Sequence, residues 1–175
     1  MKIQRADIIL IHSNKGIFGP LIHFIMKTFQ KDPVKFQHVL LAKDETIAIE
    51  SKWKISYSSI EEVLAKVDSY KVIRCKCFTE DDKDRIFALA QKLEGLEYSI
   101  LRISLQLLDH LFYTNFFSNL YTDNKSHVCS SFIAWVFYVV KRMKFNCISW
   151  RSCDPDDIDD ESIANPENWI IVAEK

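Results

Sequence analysis

The run VCSSFIAWVFYVVKRM, residues 128–143, constrains this chain more than any other segment. It has the length of a helix of about four turns, and from Phe132 to Val140 it is apolar on nearly every side. A helix without a polar face must be surrounded by protein or by lipid. Spanning a bilayer takes about 20 apolar residues, and no run in the chain approaches that length. The spacing therefore predicts a helix buried in the centre of a domain. At its head stands Cys129, just after the polar stretch TDNKSHV.

The chain can bury such a helix. Its 175 residues fit one domain, 1–175. Hydrophobic residues make up 48% and charged residues 27%, as in a globular protein. A net charge of -1 gives no broad footprint for nucleic acid. Three glycines, Gly16, Gly19 and Gly95, cannot build a glycine-rich phosphate loop. Arg5 and Asp7 interrupt any signal-peptide core in MKIQRADIIL. The five cysteines are odd in number and irregularly spaced, which argues against a disulfide framework and for a reducing, cytoplasmic setting.

Around the central helix the chain alternates short apolar runs with helical patterns. Residues 6–13 (ADIILIHS), 36–42 (FQHVLLA), 46–51 (TIAIES), 70–78 (YKVIRCKCF) and 169–173 (WIIVA) read as strands. The second and third are joined by a short polar link, a hairpin signal. Residues 19–31 have helical spacing with Pro20 in the first turn. Ser59 and Glu62 form a capping-box pattern within a helix expected over 58–67. Thr79 caps a helix over 80–95, with acids at its start and Gly95 at its stop. The leucine-rich and aromatic block 98–121 reads as one or two helices. The acidic tail 154–169 reads as loop with a helical turn. The order β-α-β-β-α-β-α-α-α-β predicts an α+β domain with a largely antiparallel sheet.

By itself a free cysteine is more often a packed core residue than a nucleophile. A helix N-terminus changes what the thiol can do. Unpaired amides and the helix dipole favour the thiolate there, and the same amides can hold an oxyanion. Of the five histidines, His23 and His110 fall on expected helices, and His127 is too near Cys129 in sequence to face it easily. His12 ends the first strand, where it can line a pocket. His38 opens the second strand, and the third ends near Glu50. The two have the same parity, so an odd-length loop would bring both to one face; a one-residue slip would separate them. In the first register Glu50 orients His38 and the other ring nitrogen is left for Cys129, a nucleophile–base–orienter arrangement.

These residues also carry a resemblance. ADIILIHS, FQHVLLA, AIES, GLEYS and HVCSSFIAW, in that order, resemble the permuted papain-like amidases of the NlpC-type superfamily, in the YiiX-like branch with its poxviral relatives. CDPDDI and IANPENW resemble that family's C-terminal segment. Here Ala6 replaces the usual glycine, Gln37 replaces the usual serine, and the glycine after His-Val is missing. The resemblance covers nearly the whole chain. It implies a circularly permuted papain-like fold with an antiparallel sheet and a buried helix carrying the nucleophile. It also implies Cys129 as nucleophile, His38 as base, Glu50 as orienting acid and Tyr98 near the thiol.

The expected activity is cysteine-dependent hydrolysis of an amide or related acyl bond, as an amidase or peptidase working through an acyl-enzyme. A lipid acyltransferase or phospholipase-like enzyme of the same fold is the alternative. A binding module that kept the fold without catalysis is another. The substrate would be a small molecule, a peptide or a lipid-like acyl compound, with Tyr98, His12 and Phe18 beside it. Peripheral lipid contact through the 98–121 block fits the second reading. No cofactor is required. No metal site is expected either: Cys75 and Cys77 read as core residues on one side of a strand, and Cys147 and Cys153 lack a histidine at metal spacing. The acid run Asp154, Asp156, Asp157, Asp159 and Asp160 reads as a solvated loop with a helix-start preference.

Overall fold

A computed structural model describes residues 2–13, 35–52, 54–95, 129–147 and 149–175. The expected helix over 19–31, the aromatic block 98–121, and Phe18 and Tyr98 lie outside the described residues.

Six strands make one sheet: β1 (Ile8–His12), β2 (His38–Ala42), β3 (Ile47–Ser51), β4 (Ile55–Ser59), β5 (Ser69–Cys75) and β6 (Trp169–Glu174). Their order is β4-β3-β2-β1-β5-β6, and each neighbouring pair is antiparallel. Four described helices accompany them: α1 (Ile60–Leu64), α2 (Glu80–Lys92), α3 (Cys129–Lys141) and α4 (Pro155–Ala164). The fold is mixed α+β.

β1 shows why the strands are so apolar. Ile8 and Leu10 join a cluster with Ile86 and Phe87 of α2 and with Phe132, Ile133, Val136 and Phe137 of α3. The intervening Ile9 and Ile11 join a second cluster with Leu40, Ala48, Val72, Val172 and Ile60 of α1. A strand covered on both faces has no polar alternation to show. Phe132 and Phe137 are among the largest fully buried side chains, so the expected central helix is found, over 129–141. The left-handed backbone of Arg142, at φ 55°, ends it.

Local signals explain α2. Thr79 Oγ1 accepts the Asp82 amide at 3.2 Å, and the Asp82 carboxylate accepts the Thr79 amide at 3.0 Å, a reciprocal capping box. Gly95, at φ 81°, follows the helix and donates its amide to the Ile55 carbonyl at 2.9 Å. Ala6, where the resembled family has glycine, also has a left-handed backbone, at φ 68°. It sits in a turn closed by the Asp7 amide on the Gln4 carbonyl at 3.1 Å. That conformation costs a residue with a Cβ about 1–2 kcal/mol.

Three expectations need correction. Residues 58 and 59, expected to open the helix over 58–67, end the strand β4; Ser59 caps α1 through the Glu62 amide, and α1 spans only five residues. β5 ends at Cys75, and Cys77 stands in the following turn, disulfide-bonded to Cys75. The acidic tail forms a ten-residue helix, α4, capped by Asp154 and opened by Pro155.

Candidate active site

The β2–β3 hairpin sets the position of the acid and the imidazole. Its register places Leu40 opposite Glu50 and Ala42 opposite Ala48. The five intervening residues 43–47 make the pairing sum even, so residues of like parity share a face. Asp44 Oδ1 fixes that loop by accepting from the Thr46 amide, the Thr46 hydroxyl and the Ile47 amide at 2.8–2.9 Å. His38 thus lies diagonally across from Glu50, within reach for long side chains. His38 Nε2 meets Glu50 Oε2 at 2.7 Å, and both side chains are buried.

Glu50 is held from its other oxygen as well. Lys52 Nζ lies 2.7 Å from Oε1, and the Ser58 hydroxyl, on β4, donates to the same oxygen. Burial alone would raise this carboxyl's pKa. The hydrogen bond and charge of His38, with Lys52 and Ser58, outweigh it and bring the value down to about 2.

Cys129 occupies the first position of α3 and is buried. α3 packs over β2, and the Cys129 side chain hydrogen-bonds His38. With Nε2 on Glu50, Nδ1 is the ring nitrogen left for the sulfur. The backbone amides of Val39 and Ser130 also donate to the sulfur. Burial by itself raises the thiol's pKa, but the charge and hydrogen bond of His38 and those two amides bring it below its ordinary value. Burial likewise pushes His38 down, whereas Cys129 and then Glu50 raise it to about 9. The arrangement favours a thiolate–imidazolium pair with a carboxylate behind it.

Two further contacts hold the hairpin and α3 in place. Asp156 of α4 accepts the Phe36 amide at 2.8 Å and the Lys35 amide at 3.1 Å, just ahead of His38. The Ser130 hydroxyl donates to the Cys153 carbonyl at 2.7 Å. The expectation of a solvated acid run is therefore wrong for Asp156 and for buried Asp159, which pairs with Lys71. No sequence signal local to residues 154–160 marks these partners.

The structure brings Cys129, His38 and Glu50 together. His12 ends β1 opposite Ser69 of β5, one residue beyond Ile11, which faces His38 across the strands. It is half-buried. Ser58, Lys52 and the Val39 amide belong to the cluster but were not expected. Ser58 was missed with β4 itself.

Among the described residues the cluster with metal-ligand proximity lies elsewhere, at Cys147, Cys153 and Asp157.

No protein-family model matches the chain, and no curated protein matches its sequence. A solved structure does match. It is described as the metalloprotein yiiX from Escherichia coli O157:H7, and it aligns over 100% of this chain and 99% of its own with a TM-score of 0.67 at 12% identity. The fold is YiiX-like. Identity this low speaks for the fold and leaves the chemistry to the residues. No helix among the described residues is long and apolar enough to cross a membrane.

Proposed function

We propose that this chain is a cysteine hydrolase of permuted papain-like type, cleaving an amide or related acyl bond through an acyl-enzyme. One observation carries the reading: a buried cysteine at a helix head hydrogen-bonds a histidine that is also held by a buried carboxylate. Packing alone does not call for this arrangement. Three ionisable groups withdrawn from water are costly unless paired, and perturbed titration of this kind concentrates at functional sites.

The roles follow from the geometry. Cys129 attacks the substrate carbonyl as a thiolate. The first-turn amides of α3 stabilise the oxyanion. His38, charged at the start, gives its proton to the leaving amine, and the C–N bond breaks as the thioester forms. Neutral His38 then takes a proton from water, the hydroxide equivalent attacks the thioester, and the thiolate is regenerated. Glu50 fixes the ring so that Nδ1 faces the sulfur and stabilises the imidazolium. Ser58 and Lys52 hold Glu50 ionised.

An acid behind the histidine favours the amidase branch over the acyltransferases of the same permutation, whose usual orienting group is a second histidine. The deciding experiment is labelling and turnover with peptide, fatty-acyl-amide and phospholipid probes, comparing the intact chain with Cys129→Ala. Turnover of an amide probe that disappears in the variant supports the reading. If iodoacetamide labels Cys129 no faster than Cys147 near neutral pH, the activated thiol is lost and the chain is better read as a binding module.

A further inference from the structure

Cys147, Cys153 and Asp157 come from three local contexts: the segment after α3, the residue before the α4 cap, and the first turn of α4. Their donor atoms nevertheless all lie within 4.8 Å of one another. We propose that they form a binding site for one thiophilic divalent cation of the zinc class, separate from Cys129, His38 and Glu50.

The donor set fits that chemistry. Two thiolates select zinc-like ions over magnesium or calcium, and three protein ligands with one open position is a common zinc arrangement. Tetrahedral zinc with ordinary bond lengths spaces its sulfur and oxygen ligands about 3.6–3.8 Å apart, so the three donors need close only slightly around the ion. The Cys153 thiol donates to the Asp154 carbonyl at 3.7 Å, so its sulfur is held beside the cap. The surrounding backbone holds the set in place. Asp157 accepts the Asp154 amide at 2.9 Å and Asp154 accepts the Asp157 amide at 2.8 Å, so the cap orients the carboxylate. A carboxylate can accept that amide and still ligate a cation through its remaining lone pairs. The Cys153 carbonyl is pinned by Ser130. Cys153 is buried, while Cys147 is half-buried and lines a cavity of about 240 Å³ with Tyr138, Trp150 and Arg151. A cation thus has an approach from the Cys147 side.

Binding breaks two S–H bonds and forms two metal–sulfur bonds, and the two protons leave to solvent. The ion would tie residues 147–157 together against the N-terminal turn of α3, next to Cys129. It takes no part in the hydrolysis proposed above, so the two readings stand or fall on different measurements.

The test uses the full chain carrying Cys129→Ala, Cys75→Ser and Cys77→Ser, which leaves Cys147 and Cys153 as its thiols. Cobalt(II) is titrated as the probe under argon, and zinc is then added as competitor. The expected result is one cobalt per chain, with thiolate-to-cobalt absorption and the intense visible bands of a tetrahedral site, displaced stoichiometrically by zinc. Cys147→Ser and Asp157→Asn are the milder variants, since Cys153→Ser alters a fully buried position. Each should weaken cobalt binding at least tenfold, and Cys147→Ser should also reduce the charge-transfer absorption by about half, as one of two thiolates is lost. Unchanged spectra in both variants would overturn the proposal. So would a reduced protein that develops no cobalt–thiolate absorption. Isolation of the anaerobic, zinc-supplied protein with Cys147 and Cys153 cross-linked would overturn it too, showing a redox pair in place of a metal site.

Discussion

His38 and Glu50 touch at 2.7 Å although they are not cross-strand partners; the residue opposite Glu50 is Leu40. The contact is diagonal, so it depends on the even register of the β2–β3 hairpin and on two side chains long enough to bridge the offset. Ser58 reaches the same carboxylate from β4, so three strands converge on one buried acid.

Glu50→Gln keeps the shape of that acid and removes its charge. An amide can still accept from His38 Nε2, so the fold should persist. The imidazolium loses its counter-charge, and the raised pKa of His38 should fall. The expected loss is on the order of 10²- to 10⁴-fold in hydrolysis, the usual scale for impaired acid–base catalysis. Stopped-flow alkylation of Cys129 gives a second readout. An unchanged alkylation rate and an unchanged His38 titration would remove Glu50 from the mechanism.

The pH dependence follows from the same cluster. His38 is raised from 6.5 to about 9, so its contribution to stability is complete below 6.5 and is lost as pH rises through 9. Glu50 is lowered from 4.5 to about 2, so its contribution is complete above 4.5 and is lost as pH falls through 2. Stability from the pair should therefore be greatest between those limits and decline on the alkaline side first. In Cys129→Ala the largest influence raising His38 is gone. The ring should then titrate lower, so the alkaline decline, which still starts at 6.5, should be smaller and end at a lower pH. Histidine NMR titration of the two proteins checks this directly; identical His38 curves would show that no thiolate faces the ring.

How far the sequence alone reaches is clear from particular elements. α2 was legible because its cap, first-turn acids and glycine stop are all local. The helix of Cys129 was legible because a face with no polar side admits one environment. The hairpin was legible up to its register, which Asp44 and the five residues between the paired Ala42 and Ala48 decide. β4 was hidden because ISYSS is short and half-buried along most of its length, and the Ser59–Glu62 cap beside it drew the helix start forward. α4 was hidden for the opposite reason. Five aspartates in seven positions look solvated until Lys71 and the amides of Lys35 and Phe36 arrive from about a hundred residues away.

Asp156 offers a test of that long-range anchoring. Asp156→Ala leaves the Phe36 and Lys35 amides without this acceptor. The expected cost is about 1–2 kcal/mol, since losing the partner of a partly buried amide is offset by removing a carboxylate that burial already disfavours. The Phe36 amide should exchange faster with deuterium, and Cys129 alkylation should slow because His38 begins two residues on. Exchange at Phe36 that matches the parent would mean that β1 pairing alone holds this segment.

A larger effect is expected at Asp7, just ahead of β1, and Arg74 of β5. Arg74 Nε donates to Asp7 Oδ1 at 2.7 Å and Nη2 to Oδ2 at 2.8 Å, a bidentate pair. Asp7 is fully buried, and the Gln4 amide also donates to it at 2.7 Å. Arg74→Ala would strand a buried carboxylate whose remaining amide contact does not balance its charge. That should cost about 3–5 kcal/mol, a large part of the 5–15 kcal/mol typical of a domain. The exposed pair Lys2–Glu45 is the internal control, because both side chains lie mostly in solvent. Lys2→Ala should change stability by less than about 1 kcal/mol. Urea denaturation of the two variants and the parent tests the contrast. Equal midpoints for Arg74→Ala and Lys2→Ala would show that the Asp7 carboxylate does not depend on this counter-charge, and that the β1–β5 junction is held without the ion pair.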